Sequence, residues 1–199
     1  MKASVQSILI CLVALGLAGC LGSAPTTRFY QLESVAAKPA TNPGLKSPTV
    51  LVREVRLPNY LDRPQIVTRD ASHRLHIAEF DHWGGDLRED MTRVLVQNLG
   101  RILDSKQVFT APVGVAVQPD YRLEVEVLRF EREVGGQVLL HARWWLSRGS
   151  DQTLLASDES SFSGNSASDS YPELVASMNT VYAELARVIA ARVRSLGGT

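Results

Sequence analysis

The chain has 199 residues, 45% of them apolar, and its 21 lysines and arginines balance 21 acidic residues. That balance supplies neither a basic surface for nucleic acid nor an acidic tail, and the length suits one compact domain. Both cysteines, Cys11 and Cys20, lie near the start, so the remainder has no thiol from which to build a disulfide.

A single positive charge at Lys2 precedes an apolar run from Ile8 to Ala18. That run suits a signal-peptide core and is too short to span a bilayer, which takes about 20 residues. It closes on Leu17-Ala18-Gly19-Cys20, which resembles the bacterial lipoprotein box. On that resemblance a peptidase cuts after Gly19, and Cys20 becomes the new N-terminus, carrying diacylglycerol on its sulfur and an N-acyl chain. The other readings are an ordinary secretory signal with a stray cysteine, or a buried helix. The expected division is residues 1–19 as signal, 20–27 as lipidated tether and 28–199 as one periplasmic domain. Two or three acyl chains hold a protein stably to a membrane where one holds it marginally. Leu21 stands where Asp commonly marks inner-membrane retention in Gram-negative lipoproteins, so the expected address is the periplasmic face of the outer membrane.

Arg28 to Leu32 is a short β-like stretch with two aromatics, and Val35 to Pro48 reads as a linker or surface loop. Thr49 to Val55 is β-branched and apolar, a strand. Leu57 to Pro64 breaks it with two prolines. Gln65 to Arg69 and Arg74 to Glu79 form a hairpin, in which Leu75 and Ile77 give one apolar face. From Gly85 to Asp104 the spacing of Leu87, Met91, Val94, Leu95, Leu99, Ile102 and Leu103 predicts a helix. Asp86, Glu89 and Asp90 suit its first turn, and Trp83 could staple its entry.

A short strand at Gln107 to Thr110 leads to a long one, Tyr121 to Val134, and a two-residue turn at Gly135-Gly136 returns it as Gln137 to Arg148. Pairing Val134 with Gln137 puts Val125 and Val127 opposite Leu146 and Trp144 on a core face. Glu126, Leu128 and Phe130 then meet Trp145, Arg143 and His141 on a mixed face. That second face is either a contact surface or covered by a loop or by strand 28–32. Thr153 to Phe162 is a further strand, ending in a polar loop from Ser163 to Ser170. The last helix starts near Tyr171 with Ser170 as N-cap. Leu174, Val175, Met178, Val181, Tyr182, Leu185, Val188, Ile189, Arg192 and Val193 trace its broad stripe, and Gly197-Gly198 ends it. The fold class is α+β: a largely antiparallel (mixed) β-sheet with two long helices packed on one face.

Residues with catalytic chemistry do not assemble into a recognisable motif. His73, His76 and His82 with Asp81 match no compact metal-ligand spacing and read as surface or packed histidines. No Gly-x-Ser-x-Gly, P-loop or Gly-x-Gly-x-x-Gly occurs. The expectation is no enzyme, no metal and no cofactor beyond the covalent lipid on Cys20.

The order of segments resembles the auxiliary lipoproteins of MCE-type ABC transporters, the paraquat-inducible protein C family. The resemblance rests on the lipobox followed by Arg28-Phe29-Tyr30-Gln31-Leu32, on Val55-x-Leu57-Pro58-x-Tyr60-Leu61-Asp62-Arg63-Pro64-x-Ile66-Val67, and on Trp83-x-x-x-Leu87. It covers nearly the whole chain. The central stretch is the most specific part, and Trp83-Gly84-Gly85-Asp86-Leu87 departs from the Ala-Glu-Pro-like residues expected there. The resemblance implies a non-enzymatic part of a lipid-trafficking system, anchored in outer-membrane lipid. It would dock a periplasmic MCE-domain protein, in all expectation as a homo-oligomeric ring. The candidate contact residues are Leu57, Pro58, Tyr60, Leu61, Asp62 and Arg63 in the central loop, with Trp145 on the mixed strand face. The loop could equally be a rigid connector, with Asp62 and Arg63 pairing locally. The competing class is a stand-alone structural or assembly lipoprotein with no transporter. A third reading, lipid held between sheet and helices, would need an apolar cavity that the helix stripes leave no room for.

Overall fold

Strand β6, at Tyr121–Arg132, is the spine of an eight-stranded mixed sheet. The computed structural model describes residues 25–35, 47–71, 73–112 and 117–197, so the lipobox and Cys20 lie outside the described residues. One edge of β6 pairs antiparallel with β7 (Gln137–Arg148), which pairs in turn with β8 (Leu154–Asn165). The other edge is shared. Its first part takes β2 (Val50–Val52) in parallel, with β5 (Val108–Thr110) beyond, and its end meets β3 (Gln65–Ala71) at Arg132. The sheet continues from β3 to β4 (Arg74–Trp83) and then to β1 (Arg28–Tyr30). The long ladders are antiparallel and the short ones parallel, the mixed sheet that the hairpin-rich sequence predicts.

Two helices cover one face: α1 (Leu87–Leu103) and α2 (Tyr171–Gly197). Asp86 caps α1, its carboxylate accepting from the Arg88 and Glu89 amides at 2.8 and 3.2 Å, while Glu89 and Asp90 face the dipole. Asp104 ends the helix in the left-handed region, φ 50°. Met91, Val94, Leu95 and Leu99 of α1 meet Leu174, Tyr182, Leu185 and Ile189 of α2 over the inner strand face, all of them buried. Each such side chain contributes about 1.5–3 kcal/mol on leaving water, which makes this layer the main source of stability. The Tyr182 hydroxyl ties the helices together by donating to the Met91 carbonyl at 3.0 Å. Burial pushes that phenol well above the usual tyrosine range.

The β6–β7 register differs from the expected one by two residues, one from a turn that closes a residue earlier and one from a bulge between Val127 and Arg129. Glu133 and Gln137 close the turn, the Glu133 amide donating to the Gln137 carbonyl at 2.7 Å, so Val134 belongs to the loop. Gly135 and Gly136 adopt φ of 92° and 85° there, which only glycine enters freely. Beyond the bulge Val125 faces Trp144, and Glu126 faces Arg143. The extra residue also turns Phe130 inward, fully buried opposite Leu140 and 5.9 Å from the Tyr182 ring, rather than onto the mixed face.

Other boundaries move for local reasons. The Val50 strand ends at Val52, because the Val55 amide turns to the Thr92 hydroxyl at 3.0 Å and only Arg56 rejoins β6, opposite Glu126. On β4 a register shift between its two ends puts Ala78 inside and leaves Ile77 45% exposed, while Leu75 still packs on the rim of the core, so the expected apolar face is only partly buried. Strand β8 runs on through Asn165, where a polar loop was expected. It does so because Gly164 lets α2 approach: a Cβ there would fall 2.9 Å from Val181 Cγ2. Val188 and Arg192 sit on the open flank of α2, outside the buried stripe.

Candidate partner-binding surface

The proline-bracketed segment from Leu57 to Pro64 climbs from the outer, helix-free face of the sheet to the helix layer. Before it, Arg56 is held by two main-chain bonds along β6, its amide to the Val125 carbonyl at 3.0 Å and its carbonyl from the Val127 amide at 2.9 Å. The Leu61 amide then closes a turn on the Pro58 carbonyl at 2.9 Å. Leu57 and Tyr60 pack on the rim of the core, and Leu61 enters it with 3% exposure. Asp62 forms an ion pair with Arg88 on α1. Pro58 and Arg63 are half-buried, and Arg63 Nε has no hydrogen-bond partner among the described residues. Asn59, Asp62 and Pro64 face solvent.

Tyr60 fastens the outer side of this segment. Its hydroxyl donates to Glu131 Oε2 at 2.5 Å, and Glu131 is fully buried. The other carboxylate oxygen accepts from Arg69 at 2.9 and 3.0 Å and from Arg129 at 2.9 and 3.0 Å. Burial pushes the Glu131 carboxyl up, but the bonds from Tyr60, Arg129 and Arg69 outweigh it and hold the group below its ordinary range. Burial and the same hydrogen bond push Tyr60 above the usual tyrosine range. The carboxylate therefore stays charged, and every oxygen is satisfied.

Trp145 lies on the same outer face, opposite Glu124 on β6 and Ser157 on β8. The Arg56 guanidinium sits 5.4 Å from its ring centroid, and Arg53 and Arg56 both reach Glu124, at 3.2 and 3.4 Å. Next along the face His141 bonds Glu159 at 2.7 Å, and Arg143 pairs with the same carboxylate. The mixed face is therefore a lattice of paired charges with one indole in it. Arg56 and Tyr60 cover part of it, whereas β1, the other candidate cover, lies at the far edge beside β4.

The seven sequence-derived contact residues thus do not form one surface: Leu57 lies on the rim of the core, and Pro58 and Arg63 are half-buried in the loop. Tyr60 and Trp145 share the outer face; Leu61 is in the core; Asp62 is drawn to the start of α1. Arg56, Arg69, Arg129 and Glu131, which organise the outer face, were not singled out by sequence reasoning. The alternation Arg129-x-Glu131-x-Glu133 was the available signal, and the bulge that orients it was invisible. The histidine grouping separates as well: Asp81 is taken by Arg28 and Tyr30, while His82 points to the opposite face beside Phe29. Among the described residues no cluster of three or more His, Cys, Asp or Glu is placed to hold a metal, and no helix is long and apolar enough to cross a membrane.

The fold is thus a helix pair on one side of a mixed sheet, with a proline-bracketed loop bolted across its end. The family model of the ABC-type transport auxiliary lipoprotein component matches residues 30–190, and the chain belongs to that family. The chain is 27% identical over 188 residues to the intermembrane transport lipoprotein PqiC of Escherichia coli K12, covering 94% of this chain and 97% of that protein. A PqiC of Shigella flexneri matches to the same extent. Among solved structures, protein XCC0632 of Xanthomonas campestris shares the fold with a TM-score of 0.69 and 20% identity, over 87% of this chain and all of that one. A crystal structure described only as an uncharacterized protein gives 0.70 and 22%, over 85% of this chain and 99% of that one. The family's members are auxiliary components of transport in the cell envelope, and that general role is the one this chain inherits.

Proposed function

We propose that this chain is anchored through acylated Cys20 in the periplasmic face of the outer membrane and docks an MCE-domain protein of its own transport system. It acts there as a homo-oligomer. The observation that carries the reading is the family match across residues 30–190, joined to likeness over almost the full length of an intermembrane transport lipoprotein. The physical role needs no chemistry. A lipid tail in water costs about 25 cal/mol per Å² of exposed apolar surface, so passage between membranes needs a shielded route. An anchored adaptor keeps the far end of such a route beside the receiving leaflet and raises its effective concentration.

The rigid docking element is the outer end of the Leu57–Pro64 segment with Arg56 and Trp145. Tyr60 fixes it to Glu131 and Leu61 to the core, so its exposed residue Asn59 is presented without an ordering cost on binding. In-cell cross-linking of the full-length lipoprotein, with mass spectrometry of the captured chains, tests this. Capture of an MCE-domain protein through residues 56–64 or Trp145 is the expected result. Capture of itself alone, or of outer-membrane assembly factors, would move the protein to the stand-alone structural class. Arg63→Glu and Trp145→Ala should lower the MCE cross-link, whereas Leu61→Asp would disturb the core and cannot separate contact from folding.

A further inference from the structure

Strand β1 is three residues long, yet it is clamped. Arg28 grips the buried Asp81 carboxylate through two bonds, at 2.8 and 2.7 Å, and the Tyr30 hydroxyl adds a third at 2.8 Å. Tyr30 also lies against Tyr171 of α2, ring centroids 6.2 Å apart, so this side of β1 is the helix side. Strand alternation then turns Phe29 to the opposite face, where 68% of it is exposed. It stands beside His82, which pairs with Gln65; two residues along β3, Val67 pairs with Ile77, itself 45% exposed. Phe29 and Ile77 thus share one outward face at the β1–β4 edge.

An apolar face on an open sheet edge is a liability in water. Strand addition by another chain is a poor fit, since three residues offer too short a ladder. Position suggests the occupant. Eight residue steps separate Cys20 from Arg28, a reach of at most about 29 Å at the roughly 3.3–3.6 Å that each extended residue spans. If Cys20 carries the lipid, β1 cannot leave the neighbourhood of the bilayer surface.

We infer that the outward face of the β1–β4 edge, Phe29 foremost and Ile77 behind it, seats the domain against the lipid surface that carries its anchor. The inference rests on acylation of Cys20. A seated edge holds the domain at one orientation to the bilayer, where a free tether would let it tumble.

The test uses the full-length lipidated protein carrying Phe29→Cys, reconstituted into vesicles of phosphatidylethanolamine and phosphatidylglycerol and labelled with an environment-sensitive fluorophore. With Cys20 acylated and Cys11 removed with the signal, the introduced thiol is the single labelling site. The expected result is blue-shifted emission, quenched by spin-labelled phospholipid about two-fold more strongly than the same label at Leu154→Cys, with Ile77→Cys between them. Leu154 is 55% exposed on β8, at the far end of the strand order from β1. Protein that floats with the vesicles while positions 29 and 154 report equal, aqueous environments would overturn the seat and leave the anchor standing. Protein that does not float, or that takes a second label on Cys20, would overturn the anchor and the seat with it.

Discussion

The two faces of β6 and β7 are made by alternate residues of the same strands and obey different physics. Inward, Leu123, Val125, Val127, Leu140, Ala142 and Leu146 are buried under the helices and are held by area alone. Outward, Glu124, Arg129, Glu131, Arg143 and Trp145 are held by pairing, each charge needing a partner in the right place. The inner face tolerates any apolar residue of the right volume, while the outer face tolerates only specific partners. A surface that must recognise another protein suits the second arrangement, because its geometry is fixed before the partner arrives.

Truncating the inner face should cost most. Leu185→Ala removes a fully buried side chain between α2 and the sheet and should lower stability by about 2–5 kcal/mol, read from denaturant midpoints at unchanged slope.

Breaking the buried charge on the outer face comes next. Glu131→Ala should cost about 2 kcal/mol, less than the 3–5 of a sealed pair, since the side chains of Arg69 and Arg129 are 19% and 31% exposed and regain water. The pH dependence sharpens this. The folded-state value of Glu131 lies below its ordinary 4.5, so its contribution is present above about 4.5 and is lost as pH falls through the folded value. Acid titration of stability should therefore be shallower below pH 4.5 in Glu131→Gln than in the parent chain. Equal slopes would mean that Glu131 carries no net charge linkage.

Tyr60→Phe keeps the ring and removes one charged hydrogen bond, so a loss of about 1.5 kcal/mol is expected. The same variant should weaken partner capture by loosening the loop, which separates its effect from a purely structural one. The smallest change belongs to Asp62→Asn. Its ion pair with Arg88 is 42% and 31% exposed, and stability should move by no more than about 0.5 kcal/mol. A larger drop would show that the end of the loop at α1 matters as much as the end at Glu131.

Helix and strand identities were legible because each rests on a local period. The stripe of Met91, Leu95 and Leu99 on α1, the alternation of Val125 and Val127 on β6, and the glycine turn at 135–136 all appear where their spacing demands. Register was not legible. One bulged residue after Val127 exchanges the faces of everything beyond it, sending Phe130 inward and Glu131 outward, and no single position in the sequence signals it. The same blindness misread Ile77 and Ala78 on β4 and grouped Leu61 with Tyr60 as contacts, though adjacent loop residues face opposite ways.

The sequence by itself therefore determined the elements, their order, the helix-covered face and the family, because propensity, periodicity and motif spacing are properties of neighbouring residues. Tertiary structure alone decided where charges were buried. Glu131 meets Tyr60 and Arg69 across separations of 71 and 62 residues, and Arg28 meets Asp81 across 53. A carboxylate can leave water only where several donors arrive together, and strand register and loop path, set by the whole fold, decide which ones do.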